Sequence, residues 1–109
     1  MKILTASALL ALLLSLSFMF GCTGKDSYSG DIAAKECMAI CHSAKMKGID
    51  LAHGPCLSNE AIKDWVCDVA HSPRQDVDNN PNNQCPAFGN GSASHYVEVD
   101  SNCNLIKKN

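Results

Sequence analysis

The sequence predicts an α+β domain: one N-terminal helix packed on a small antiparallel sheet and stapled by disulfides. Three features predict it. Residues 31–47 place apolar side chains at helical spacing. Residues 65–70 and 95–100 instead alternate, the period of a strand. Six cysteines, Cys37, Cys41, Cys56, Cys67, Cys85 and Cys103, are spread over both kinds of segment. In a short exported chain, an even set of this kind reads as a disulfide framework.

Export is the reading of residues 1–21. Met1-Lys2 gives a positive start, Ile3 to Phe20 is a run of 18 uncharged residues, and the small Gly21 precedes Cys22. That is the order of a signal peptide. Met19-Phe20-Gly21-Cys22 resembles the lipobox of prokaryotic lipoproteins. The resemblance implies that Cys22 becomes the lipidated first residue after cleavage. Gly21 supplies the small residue before the cut, while Phe20 and Met19 replace the usual small residue and Leu. The run exceeds the roughly 7–15 apolar residues of most signals and approaches the roughly 20 of a spanning helix. An uncleaved anchor and plain secretion are therefore the competing readings. Residues 22–30 read as a polar tether between membrane and domain. Beyond residue 21 there are eight Lys and Arg against eleven Asp and Glu. Such a domain does not adsorb to an anionic membrane by charge, so the acyl chains would supply the attachment. The expected location is the extracytoplasmic face of the cell membrane, with the membrane itself as partner.

The domain then occupies residues 31–109. Ala33, Cys37, Ile40, Cys41 and Ala44 share one helical face, Gly30-Asp31 provides a cap and Gly48 a stop. Lys45 and Lys47 in the last turn suit the helix dipole. Residues 49–55 read as a loop, and 58–63 as a short helix started by Ser58 or Asn59. Residues 65–70 form a half-buried strand with Trp65, Cys67 and Val69 inward. Residues 72–87 hold Pro73, Pro81 and Pro86 and are rich in Asn, which makes a long loop pinned by Cys85. Residues 89–92 are a turn. The strand at 95–100 points His95, Val97 and Val99 inward, and Leu105-Ile106 starts a last short strand.

The core needs the staples. Only 19 apolar side chains larger than Ala and Cys follow residue 21. A chain this short buries only about 60–65% of its unfolded surface, and each bridge adds about 2–4 kcal/mol. Cys37 and Cys41 lie one turn apart and bond to different partners. Fifteen connectivities are formally open. The element order favours Cys37–Cys67, Cys41–Cys56 and Cys85–Cys103.

Residues 54–58 (Gly-Pro-Cys-Leu-Ser), 65–71 (Trp-Val-Cys-Asp-Val-Ala-His), 97–100 (Val-Glu-Val-Asp) and 103–106 (Cys-Asn-Leu-Ile) carry a wider likeness. Over about residues 35–106 the chain resembles small cysteine-rich exported proteins of archaea. The resemblance implies a domain type without an activity.

The remaining motifs define the function classes. No basic patch survives the charge count, which argues against a nucleic-acid partner. Ser94 adjoins His95, but there is no G-x-S-x-G turn, and neighbours on a strand face opposite ways. No enzyme and no cofactor are expected. Cys37, Cys41 and His42 approximate a haem attachment motif, with three residues between the cysteines where two are needed. Zinc would draw on His42, His53, His71 or His95, without a C-x-x-C pair to join. Asp76, Asp78 and Asn80 space oxygens as a calcium loop does, but Pro81 stands where Gly is needed and Ala87 where Glu is needed. His71 is expected beside Arg74 and Asp68 in a structural hydrogen bond. Asn90-Gly91-Ser92 fits an N-glycosylation acceptor. The reading is a membrane-anchored extracytoplasmic binding or structural module. Its alternative is a small haem- or metal-carrying protein using Cys37/Cys41/His42 or the loop from Asp76 to Asn83.

Overall fold

Helical spacing produces the first element. The computed structural model describes residues 25–109 and opens with helix α1, Lys25–Met46. Cys22 and the leader 1–21 lie outside the described residues. The helix begins before the Gly30-Asp31 cap read from the sequence, so 25–30, assigned to the tether, are helical. Tertiary packing explains the difference. Gly30 passes over the Trp65 ring, and a Cβ there would lie 3.3 Å from its Cη2. Asp31 is mid-helix and pairs with Lys108, which holds its carboxyl below the usual range. Gly48, at φ +77°, ends the helix as expected. Among the described residues no helix is long and apolar enough to cross a membrane.

Four strands follow: β1 (Cys56–Ile62), β2 (Trp65–Val69), β3 (His95–Val99) and β4 (Leu105–Lys108). Their order in the sheet is that of the sequence. The segment read as a short helix at 58–63 is therefore β1. The Ser58 hydroxyl does accept the Glu60 N–H, a local bond like that of a helix start. Pairing with β2 decides the conformation. The sheet is mixed, which corrects the antiparallel expectation. β1–β2 and β3–β4 are antiparallel, while β2–β3 is parallel. Parallel neighbours need a crossover of about a dozen residues or more. The segment 70–94 supplies it, with two 3₁₀ turns (Asp76–Asn79, Pro81–Asn83) and the short helix α2 (Pro86–Gly89).

This crossover covers the sheet face opposite α1. On the inner face Ala33, Cys37, Cys41 and Ala44 of α1 pack on Trp65, Cys67, Val69, Val97 and Val99. On the outer face Val66, Cys85 and Ala93 form a smaller cluster with Tyr96. Every residue of β2 is thus buried, where a half-buried strand was expected.

The six cysteines form three disulfides: Cys37–Cys67, Cys41–Cys103 and Cys56–Cys85. The expected Cys37–Cys67 bridge is present; Cys41–Cys56 and Cys85–Cys103 are not. Strand register explains the exchange. Cys56 is paired with Asp68 across β1–β2, and directly opposed residues share a face. That face is the outer one, so Cys56 meets Cys85 of the crossover. Cys41 lies one turn beyond Cys37 on the inner face and meets Cys103 in the β3–β4 turn.

Candidate functional site

The crossover does not seal the outer face. It leaves a half-open cavity of about 530 Å³. Such a volume lies within the roughly 300–1,000 Å³ of small-molecule sites. The strands supply its floor. Val66 and Asp68 alternate outward on β2, Tyr96 and Glu98 on β3, and Lys107 on β4. Asp68 is opposite Glu98, and Glu98 opposite Lys107. Phe88 of α2 meets Tyr96 edge-to-face at 5.1 Å and closes one end. Lys107 Nζ lies 5.7 Å from the Tyr96 ring centroid, and the nearby Tyr96 side chain raises its pKa.

The cations of the wall are already engaged. Arg74 Nη1 donates to Glu98 Oε1 at 2.9 Å, Nε to Asn79 Oδ1 at 2.8 Å, and Nη2 to the Asp78 carbonyl. Gln84 also donates to that carbonyl. Asp78 organises the loop behind them. It accepts from the backbone N–H of His71 and of Gln75, and the His71 ring lies 2.8 Å from its Oδ1. Burial opposes the charge of Asp78, but these contacts outweigh it and the pKa falls below the usual value. Gly54 makes room for this carboxylate. It sits at φ +70°, and a Cβ would lie 2.6 Å from Asp78 Oδ1.

Asp68 is different. It is 6% exposed, and its Oδ1 is buried with no hydrogen-bond partner. Burial first, and then the neighbouring Glu98 charge, push its pKa up to about 7. A buried acceptor without a donor costs about 1–3 kcal/mol.

The structure sorts the residues singled out in the sequence. His71, Arg74 and Asp68 do line one cavity, but His71 bonds Asp78 instead of Asp68. Asp76, Asp78 and Asn80 are not assembled into a chelate. Asp78 is committed to His71 and Gln75, and Asn80 Oδ1 accepts the Asn82 N–H. Cys37 and Cys41 are in disulfides, which removes the thiols that the haem reading with His42 requires. Among the described residues no group of three His, Cys, Asp or Glu is placed to hold a metal ion. Ser94 donates its backbone N–H to Asp64, and His95 stacks on Trp65 at 4.5 Å. Asn90 is exposed, and its Oδ1 accepts the Ser92 N–H. Asp68 and Glu98 do not stand out as a site in the sequence. The available signal was an Asp inside the run Trp-Val-Cys-Asp-Val, since Asp is depleted in strands. No family model, curated protein or solved structure matches the chain.

Proposed function

We propose that the chain is a lipid-anchored extracytoplasmic binding module, held by disulfides and without catalysis of its own. The carrying observation is the complete pairing of six cysteines. Stable disulfides belong to oxidising compartments, which agrees with the charge-free run of Ile3 to Phe20. The seventh cysteine, Cys22, is the one that follows Gly21 at the end of that run. Lipid on Cys22 gives it a role in keeping with an even set elsewhere. The outer-face cavity supports binding over a purely structural role, because apolar walls and converging charged groups line it together. Asn90, exposed in the turn after α2, is available to glycosylation where the host carries that chemistry.

Membrane fractionation with intact mass tests the anchor. The native chain is expected in the membrane fraction, cut before Cys22 and carrying acyl mass. Cys22→Ser is expected to leave that fraction or to stay uncut. A cleaved native chain with an unmodified Cys22 overturns the reading.

A further inference from the structure

We infer that the outer-face cavity binds a small organic ammonium ion with an apolar body, and that Asp68 is the anchor for its charged head. This deepens the binding reading above and rests on it.

The argument is one of unmet partners. Asp68 Oδ1 is buried and has no donor. Buried polar groups are satisfied in nearly all native structures, so a specific exception asks for a missing partner. Asp68 lines the cavity, so its side chain borders any molecule bound there. In its ionised form Asp68 only accepts, so the partner that completes it donates. The cations nearby do not fill that need. Arg74 is spent on Glu98, Asn79 and Asp78, and Lys107 stands over Tyr96. The rest of the lining defines the ligand's other end. Val66, Phe88, Tyr96 and Ile106 provide apolar walls. The faces of Tyr96 and Phe88 also suit a cation by their ring quadrupoles.

Charge selects the sign. Asp68 faces Glu98 from β3, Lys107 from β4, and Arg74, His71 and Asp78 from the crossover. Arg74 already balances Glu98 through their ion pair, which leaves Asp68 as the carboxylate with no hydrogen-bonded cation among the described residues. A bound cation would supply one, and it would favour the ionised form of Asp68, whose burial otherwise pushes its pKa to about 7.

The test uses the full chain in zwitterionic micelles, with binding followed by amide shifts of Asp68, Glu98 and Tyr96. The probes are 3-phenylpropylammonium, 3-phenylpropanol and 3-phenylpropionate, which differ only in the head. The ammonium ion is expected to bind about tenfold more tightly than the alcohol. Its affinity should climb as the pH rises to 7 and then level off, while the alcohol's stays flat. Asp68→Asn should abolish the preference for ammonium and leave the alcohol unchanged. Asn keeps the shape without the charge and is not expected to unfold the domain. Equal affinities, a preference that survives Asp68→Asn, tightest binding of the carboxylate or no saturable binding by any probe would overturn the inference. Each of those results leaves the membrane partition of Cys22→Ser unaffected, so failure here is distinct from failure of the anchored-module reading.

Discussion

The two faces of one sheet are built on opposite terms. The inner face is apolar at its centre: Cys67, Val69, Val97 and Val99 are each at most 1% exposed beneath α1. Two bridges, Cys37–Cys67 and Cys41–Cys103, tie the helix down there. The outer face carries one bridge, two buried aspartates and a cavity. The same strands supply both, since β2 sends Trp65, Cys67 and Val69 one way and Val66 and Asp68 the other. The inner face holds the fold together, and this lets the outer face keep a buried carboxylate that costs stability once it is ionised.

Removing bridges should separate the faces most strongly. Cys41–Cys103 closes the longest segment, 62 residues. Loop-closure entropy makes its loss cost about 4 kcal/mol, comparable to the whole stability of a small domain. The Cys41→Ala/Cys103→Ala pair is expected to lose most of its helical signal at 37 °C by circular dichroism. The Cys56→Ala/Cys85→Ala pair closes 29 residues and should cost somewhat less. It is expected to leave α1 protected from hydrogen exchange while the 72–92 crossover exchanges faster. Equal loss of protection on both faces would refute the division.

The two aspartates should respond to pH with opposite sign. Asp68 has a folded pKa raised from 3.8 to about 7. Its contribution is complete below about 3.8 and is lost as the pH rises through about 7. Asp68→Asn should therefore stabilise the ligand-free chain by about 2–4 kcal/mol above pH 7 and change little at pH 3. Asp78 has a lowered pKa, so its contribution is present at neutral pH and lost as the pH falls through its folded value. Asp78→Asn should cost about 1–3 kcal/mol at pH 7 and flatten the acid limb of the stability curve. Chemical denaturation of each variant across pH 3–8 checks both.

A glycine on each face sharpens the contrast further. Gly54→Ala drives a methyl against Asp78 Oδ1 at positive φ, and about 2 kcal/mol of destabilisation is expected. Gly30→Ala crowds Trp65 by a few tenths of an ångström while gaining helix propensity. Its net effect should stay within about 0.5 kcal/mol by thermal melting. A larger loss at Gly30 than at Gly54 would mean that the inner face is the less tolerant one.

Much of the inner face was legible in the sequence. Helical spacing located α1 with Cys37 and Cys41 inward, and alternation located β2 and β3 with Cys67, Val97 and Val99 inward. These patterns are local, and burial against one partner preserves them. The outer face was not legible, because its features depend on register and on the crossover. Ser58 and Asn59 read locally as a helix start, which hides the pairing of Cys56 with Asp68 and hence the outward direction of Cys56. The bridges Cys41–Cys103 and Cys56–Cys85 followed from that register. Asp68 lies between the inward Cys67 and Val69, on the other side of β2, and nothing local says that residues 72–92 fold back over it.

The division of the faces rests on the pairing of the cysteines, and non-reducing peptide mapping by mass spectrometry tests it most directly. Cleavage between the cysteines under acid conditions, which suppress thiol exchange, should yield three linked pairs: Cys37 with Cys67, Cys41 with Cys103, and Cys56 with Cys85. A linked Cys41–Cys56 or Cys85–Cys103 pair would place Cys56 on the helix side of the sheet and contradict the account.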